Sequence, residues 1–507
     1  MGAFPFLELP RELRDQIYIQ YFTAPDKTYV YDFHSKKLRL SDKTPISVGL
    51  ALTCKTVNHE TRGMGLRLNT ITFYPIYSDE LRALASRFGQ AMYHLKGTIT
   101  STLSTISSVM NYNNPHEPRP LTRLKELVYP DRNFEDWNLE SILSMDVDPW
   151  RIPTESEVEN LVAILFKAKE EARGKKYTEG LDYLYAWHPD HGKYRFSAAS
   201  AAIYFLRSIP DQRRHMRNMV ICEDRRSVAY PEWHGRGLVP FCQENPALRI
   251  TRRVSLWGNI FRHDMDERHW QYQVCTRNAI NKLSLDRATT VLAAWIAEAG
   301  ILPSIGMPTG QYTLFLDGDP LSEKTSEIFG GYIQRAALLQ DVIVKAPRGA
   351  DWTFIQVHRY MDHFISELFP QMLKDLSDNP RSGLIQCNFD PGQRSVSAEE
   401  ILATHPEWDP YDWDEDLWNW PGGEEETIVP GLTAMQMEDM VDSFRELYPN
   451  GPPLRCQSGD PPDWAVEVDS DIEPDEGEDQ NEGDGTDGGG DHDSDSNDEA
   501  DAHEADV

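Results

Sequence analysis

The stretch LPRELRDQIYIQYF, residues 9–22, predicts the first helix of this chain. Pro10 suits the first turn of a helix, where the backbone N–H groups have no intrahelical partner. Leu13, Ile17 and Tyr21 recur at four-residue spacing, so their side chains fall on one side of that helix. The sequence therefore predicts an amphipathic helix close to the start of the chain.

A hairpin, a second helix and a strand are predicted to follow the first helix. Residues 28–33 and 37–40 alternate on either side of a polar turn, which is typical of a β-hairpin. Residues 50–64 carry apolar side chains at steps of four and three, as one face of a helix does. Residues 69–74 are rich in β-forming side chains and predict a strand. We therefore expect residues 1–78 to form a helix–hairpin–helix–strand module.

Beyond this module, predicted helices and extended segments alternate over residues 79–455, with a possible sub-boundary near 115–150. A capping box, Thr154-Glu155-Ser156-Glu157, begins one of these helices. Extended segments are predicted to begin at residues 218, 255, 312 and 384. The unequal gaps between them lack the fixed period of a leucine-rich repeat or other solenoid. The alternation favours an α+β or mixed α/β fold class.

The negative charge of the chain is concentrated at its C-terminal end. Residues 456–507 contain 14 Asp and 7 Glu without any Lys or Arg, so the formal charge of −32 falls to −11 for residues 1–455. This composition cannot bury enough apolar surface to offset chain entropy, and it predicts a disordered acidic tail. Such a tail can compete with nucleic acid for basic partners, or it can simply keep a protein soluble.

Composition also excludes several classes of function. A mildly acidic body argues against direct nucleic-acid binding, which needs positive surface to neutralise phosphates. Six cysteines lie far apart, a usage typical of a reducing intracellular compartment such as the cytoplasm or nucleus. The N-terminal sequence lacks the pattern of an export signal, and no run of about 18 apolar residues predicts a membrane span. No nucleotide-binding glycine pattern is present, and no cofactor is expected.

Two Glu-x-Arg triplets lie in the two predicted N-terminal helices. They are Glu12-Leu13-Arg14 and Glu60-Thr61-Arg62. The segments around them resemble the F-box-like proteins of filamentous fungi, and the pair resembles the one for which the two-ExR domain is named. The charges could clamp the helix ends and each other through ion pairs, or they could be solvated. The resemblance covers roughly the first 70 of 507 residues.

The resemblance implies a non-enzymatic protein-interaction function. An F-box binds the Skp-type adaptor of a cullin–RING ubiquitin ligase, and the remaining chain recruits substrate. The candidate partner-binding residues are Leu7, Leu9, Pro10, Leu13 and Ile17, which could enter a groove of the partner as a short apolar helix face. The alternative is that these side chains pack against the second helix and the hairpin. An ordinary F-box joins its first two helices by a short turn, whereas about 25 residues intervene here.

A magnesium-dependent phosphatase is the alternative from another functional class. Residues 312–319 read YTLFLDGD, and a hydrophobic strand that ends in Asp-x-Asp resembles the motif of haloacid-dehalogenase-like phosphatases. Asp317 and Asp319 would then supply a nucleophile, a general acid and metal ligands. An Asp-Gly pair after a strand is also an ordinary turn. Leu321 stands where that family has Thr or Val, so we predict neither catalytic nor metal-binding residues.

Two short basic clusters complete the candidate features. They are Arg213-Arg214 and the arginines within residues 249–253. Each could contact an acidic surface, including the acidic tail, or each could be a solvated face.

Overall fold

The computed structural model describes residues 6–113, 147–173, 194–262, 285–345, 366–394 and 396–404. Its helices are α1 (Arg11–Phe22), α2 (Lys55–Thr61), α3 (Met64–Leu68), α4 (Asp79–Asn113), α5 (Glu155–Arg173), α6 (Ala198–Ser208), α7 (Val239–Glu244), α8 (Leu285–Ile301), α9 (Ser322–Ile328), α10 (Gln334–Lys345), α11 (Leu368–Asp378) and α12 (Ala398–Thr404). Short 3-10 turns are Phe6–Glu8, Leu50–Leu52, Arg213–His215, Pro231–Leu238, Ile260–Arg262 and Leu302–Ile305, and Phe329–Ile333 is a π-helical turn. The strands are β1 (Thr28–Asp32), β2 (Lys37–Leu40), β3 (Thr70–Phe73), β4 (Asn218–Glu223), β5 (Arg249–Ser255), β6 (Tyr312–Asp317) and β7 (Ile385–Cys387).

The strands form one seven-stranded sheet in the order β2-β1-β3-β4-β5-β6-β7. The predicted hairpin is present, because β1 pairs antiparallel with β2, and every other neighbouring pair is parallel. Helices lie between the parallel strands along the chain, so the predicted mixed α/β fold class is confirmed. Residues 405–507, with the predicted acidic tail, lie outside the described residues.

The two faces of the sheet differ in burial. Phe73, Ile221, Arg252, Leu314 and Ile385 lie side by side across five strands, and all are buried. Neighbouring residues along each strand point to the opposite face, which is partly exposed. If helices covered both faces of this parallel sheet, the sequence of each strand would be an almost continuous run of apolar residues.

Helices cover the buried face. The ring of Phe205 in α6 lies 5.5 Å from that of Phe73 in β3. Trp295 in α8 stacks on the guanidinium of Arg252 in β5, 4.4 Å from the ring centroid. After the hairpin, each new parallel strand is added at the same edge of the sheet. Because crossovers between parallel strands are right-handed, adding every strand at one edge places all the connecting helices on one face. Solenoids wind in the same manner, but these strands begin at unequal intervals along the chain.

The N-terminal module shares the sheet with the rest of the chain. Its strand β3 pairs with β4, and its hairpin strands belong to the main core. Helices α1 to α3 have a small core of their own, formed by Tyr18, Phe22, Val57 and Met64. Among the described residues, those on both sides of the expected boundary at residue 78 belong to one compact unit.

Three predicted segments differ from the structure. The helix expected over residues 50–64 is divided into a 3-10 turn, α2 and α3, because Cys54 is extended and Gly63 adopts a left-handed conformation with φ of 71°. The strand expected at residues 255–257 lies earlier, at Arg249–Ser255, where the buried Ile250, Arg252 and Val254 alternate with more exposed residues. The sequence predicts a helix over residues 286–298 that stops at Gly300, but α8 continues through Gly300, and a 3-10 turn carries it to Gly306, whose φ is 99°.

A buried ion pair joins the centre of the sheet to α6. Arg252 donates from Nη2 to Oε1 of Glu223 over 2.7 Å, and both side chains are almost completely buried. The Glu223 carboxylate also accepts the backbone N–H groups of Ala198 and Ala199 at the first turn of α6. An anion at a helix N-terminus is favoured by the helix dipole, so Glu223 holds α6 on the sheet.

The window Ala288–Ile305, which includes most of α8, is long and apolar enough to cross a membrane by length and composition alone. Its mean hydropathy is 1.4, and half of it is buried within the structure. Leu292, Trp295 and Ile296 are buried in the main core, so this helix packs on the sheet.

Candidate functional site

Helix α1 presents two different faces. Arg14, Tyr18 and Phe22 recur every four residues and point inward, where Tyr18 and Phe22 join the small core with α2 and α3. Leu13 and Ile17 precede this row by one position each and lie exposed. A one-residue offset turns a side chain by about 100° around a helix, so the outward face is adjacent to the fixed inward face.

An ion-pair cluster centred on Glu60 holds the inward face of α1. Arg14 donates to the Glu60 carboxylate from Nε (3.1 Å) and Nη2 (2.6 Å), which gives a bidentate pair. The hydroxyl of Tyr18 donates to Glu60 Oε2 over 2.7 Å, and Arg11 Nη1 lies 3.0 Å from Oε1. The hydrogen bonds from Arg14 and Tyr18 hold the pKa of Glu60 at about 2. We refer to Arg11, Arg14, Tyr18 and Glu60 as the Glu60 clamp.

The clamp joins one member of each Glu-x-Arg triplet. Arg14 comes from the first triplet and Glu60 from the second, and they are 46 residues apart in the chain. Glu12 and Arg62 are exposed, and the structure shows no ion pair for either of these two described residues. The expected clamp therefore runs between the triplets, from α1 to α2, and uses half of the four charges.

The candidate partner-binding residues lie around the first turns of α1. Leu7, Leu13 and Ile17 are 50%, 45% and 41% exposed, which is high for large apolar side chains. Pro10 is exposed at the N-cap of α1, and Leu9 is half-buried. A large part of each of the Leu7, Leu13 and Ile17 side chains therefore stays open to solvent, which an interaction surface requires.

Further exposed apolar residues lie in the same N-terminal region. These residues, which were not predicted as contacts, are Ile19, Tyr21, Val48 and Leu52. Tyr21 follows Ile17 by one helical turn, and its hydroxyl hydrogen-bonds Ser47 and the backbone N–H of Leu50. The loop that carries Val48 therefore lies beside the outward face of α1. We call Leu7, Leu13, Ile17, Tyr21 and Val48 the apolar stripe.

Asp317 and Asp319 both lie beside Arg253, whose Nη2 is 3.8 Å from Oδ2 of Asp319. Asp317 Oδ2 accepts a hydrogen bond from Arg253 Nε over 2.7 Å, and its Oδ1 accepts from Asn388 Nδ2 over 2.9 Å. Asp319 accepts a hydrogen bond from Ser322 at the start of α9. Within the described ranges no three His, Cys, Asp or Glu side chains come close enough to hold a metal ion. Arg253, which belongs to the second basic cluster, and Asn388 hold Asp317 at the carboxyl end of β6.

A serine and a histidine are also close together, but they are buried. Ser197 Oγ lies 2.6 Å from Nδ1 of His234, whose Nε2 lies 2.8 Å from the backbone oxygen of Ala229. Both side chains are buried, and Ser197 also caps α6 by accepting the N–H of Ser200. Burial lowers the pKa of His234 to about 3. A nucleophile needs access to a substrate, so this pair is a structural contact.

Comparison with known proteins adds no assignment to these sites, because no protein-family model, curated protein or solved structure matches this chain.

Proposed function

We propose that this protein is a non-enzymatic protein-interaction subunit whose helix α1 binds a partner through the apolar stripe. The exposure of Leu7, Leu13 and Ile17 is the observation that carries this proposal. Exposed apolar side chains that cluster on one surface commonly mark interaction sites. Amphipathic helices bind grooves through anchors at just this spacing.

The Glu60 clamp supports the proposal because it fixes the orientation of α1. Its inward face is held by the bidentate pair between Arg14 and Glu60 and by the buried ring of Tyr18. The outward face is therefore presented by a helix that does not need to become ordered on binding. Such preorganisation lowers the entropic cost of association.

The resemblance to F-box-like proteins names the partner that we propose, a Skp-type adaptor of a cullin–RING ubiquitin ligase. An insertion separates the two helices of this module along the chain. However, its hairpin is taken up by the sheet as β1 and β2, and α1 still packs directly on α2 through the Glu60 clamp. The insertion is thus compatible with a paired-helix docking unit, and the remaining chain would recruit substrate.

A binding measurement with purified proteins tests this proposal. We expect the full chain to bind a purified Skp-type adaptor with micromolar or tighter affinity in isothermal titration calorimetry. Leu13→Asp with Ile17→Asp should weaken binding by about 100-fold or more, since buried anchor residues contribute most of an interface's energy. Ile305→Asp is the matched control, because Ile305 is 43% exposed and lies outside the stripe.

Two results would contradict the proposal in different ways. Absence of adaptor binding by the wild-type chain would exclude the ligase role. Binding that tolerates Leu13→Asp with Ile17→Asp would exclude the apolar stripe as the contact. Magnesium-dependent hydrolysis of p-nitrophenyl phosphate that is lost in Asp317→Asn would instead favour the phosphatase alternative.

A further inference from the structure

Several arginines gather at the amino ends of three neighbouring strands. Because β3, β4 and β5 are parallel, their first residues lie at the same edge of the sheet. Arg217 immediately precedes β4, Arg249 begins β5, and the backbone N–H of Arg249 donates to the oxygen of Arg217 over 2.7 Å. Arg67 lies in α3, just before β3. The topology therefore brings these separate basic segments to one edge.

His215 connects this edge to α2 and α3. Its ring lies against Gly63, so close that a Cβ added to Gly63 would overlap the imidazole of His215. Arg62 precedes Gly63 in the chain, and Arg214 precedes His215. Burial, together with the charges of Arg67, Arg214, Arg62 and Arg217, lowers the pKa of His215. The imidazole is thus neutral at pH 7, and the positive charge comes from the guanidinium groups. We call Arg62, Arg67, Arg214, Arg217 and Arg249 the arginine patch.

The arginines of the patch differ from others in the described fold. Arg14, Arg213, Arg236, Arg252 and Arg253 each form an ion pair with Glu or Asp. Within the described residues, no member of the arginine patch has a carboxylate at ion-pair distance.

The hydrogen bonds of the patch leave most of its donors free for a ligand. Arg214, Arg217 and Arg249 donate to nearby backbone oxygens. A guanidinium carries five N–H donors, so most of them remain available to an anion. Arg62, Arg67, Arg214 and Arg249 are exposed, and Arg217 is half-buried.

The uncompensated charge of the patch stands out because the body of the chain is acidic. Residues 1–455 carry a formal charge of −11, yet five arginines repel one another at this edge. Like charges that lie close together near the surface destabilise one another. An anionic ligand would remove this repulsion and would satisfy the free N–H donors bidentately.

We propose that the arginine patch binds an acidic segment of a partner protein. Neighbouring strands lie about 4.8 Å apart, so the patch extends over roughly 10 Å from β3 to β5. Side chains on one side of an extended peptide repeat about every 7 Å, and two or three acidic residues therefore span it. The phosphates of a nucleic acid would extend beyond the patch and be repelled by the acidic surface around it. A short acidic peptide would contact the patch alone.

This inference is independent of adaptor binding, because the apolar stripe and the arginine patch are separate sets of residues. It also gives Arg62, which the Glu60 clamp does not use, a binding role. Carboxylates and phosphates could both supply the negative charge of the segment, and the Asp and phosphoserine peptides described below distinguish them.

Fluorescence polarisation with labelled 12-residue peptides tests the proposal on the full chain. The probes alternate Gly with Asp, with phosphoserine or with Asn, and a 12-nucleotide oligothymidylate represents nucleic acid. We expect the Asp or phosphoserine peptide to bind and the Asn peptide not to bind. Affinity should fall as the salt concentration rises. A preference for phosphoserine would identify a phosphorylated partner segment, and equal binding would show that carboxylates suffice.

Matched variants make the test specific. Arg62→Gln with Arg214→Gln should weaken binding of the acidic peptide at least tenfold, and the corresponding Lys double variant should lose less because it keeps the charge. Lys374→Gln with Arg381→Gln removes the same charge from exposed positions outside the patch and should change affinity less than twofold. Thermal melting confirms that each variant is folded. Equal weakening by both Gln double variants, tighter binding of oligothymidylate, or no binding of any acidic peptide would overturn the proposal.

Discussion

Glu60→Gln is the substitution that tests the N-terminal architecture most directly. The change keeps the shape of the side chain but removes the charge that Arg14, Arg11 and the Tyr18 hydroxyl share. Hydrogen bonds to a charged group contribute roughly 1.5–3 kcal/mol each, and breaking a fully buried ion pair costs about 3–5 kcal/mol. The side chain of Arg14 is 13% exposed, so it is not fully buried, and it also donates a hydrogen bond to the backbone oxygen of Leu7. We therefore expect a loss near the lower limit, about 3 kcal/mol.

Hydrogen exchange of α1 measures this loss where it occurs. A destabilisation of about 3 kcal/mol corresponds to roughly 150-fold faster exchange of the amides that open with the helix. Peptides that cover Arg11–Phe22 should show this acceleration, while amides of the central strands β4 and β5 should change much less. Arg14→Gln should have a similar effect, and its combination with Glu60→Gln should cost less than the sum, since both remove the same pair.

The exposed members of the triplets provide the controls for this prediction. Glu12→Gln and Arg62→Gln should each change the free energy of α1 opening by less than about 0.5 kcal/mol, as other exposed substitutions do. The assigned clamp is refuted if Glu12→Gln accelerates exchange as much as Glu60→Gln. It is also refuted if Glu60→Gln itself costs under about 0.5 kcal/mol.

Three further substitutions test the body and the junction of the module with the sheet. Glu223→Gln leaves Arg252 charged and buried, and we expect about 3–5 kcal/mol of lost stability by urea denaturation, largely recovered when both residues are replaced by apolar ones. The pKa of His234 is about 3 in the folded chain and near 6.5 when unfolded, so the unfolded state binds more protons between these values. Stability should therefore fall as pH drops from 6.5 towards 3, by up to about 1.4 kcal/mol per pH unit, and His234→Gln should flatten this part of the urea-midpoint profile. Gly63→Ala should lower the melting temperature more than Gly310→Ala. Both glycines have positive φ, but of the two only Gly63 lies against another side chain. Equal shifts in melting temperature would contradict the packing of His215 on Gly63.

Local patterns in the sequence predicted the elements that depend on near neighbours. The alternation of residues 28–40 predicted the hairpin, and four-residue spacing predicted α1. The capping box at Thr154 is formed as expected, with Thr154 N donating to Glu157 and Glu157 N donating to Thr154. These features could be predicted because helix and strand periodicity and capping act over a few residues.

The placement of charged residues required the tertiary structure. Arg252 and Arg253 are adjacent in a basic cluster, yet one is buried against Glu223 and the other pairs with Asp317 at the sheet surface. Alternation along a strand predicts that neighbours point to opposite faces, but it does not show which face the helices cover. That depends on the direction in which the parallel strands are added to the sheet.

The sequence by itself determined that two Glu-x-Arg triplets lie in N-terminal helices, that the chain is mixed α/β and that negative charge is concentrated at one end. Only the tertiary structure decided that Arg14 pairs with Glu60 across 46 residues, that Leu13 and Ile17 remain exposed, and that Arg62 lies near the other arginines around His215. The physical reason is that periodicity determines which side chains share a face of an element. What that face contacts depends on residues distant in sequence, which the fold brings close.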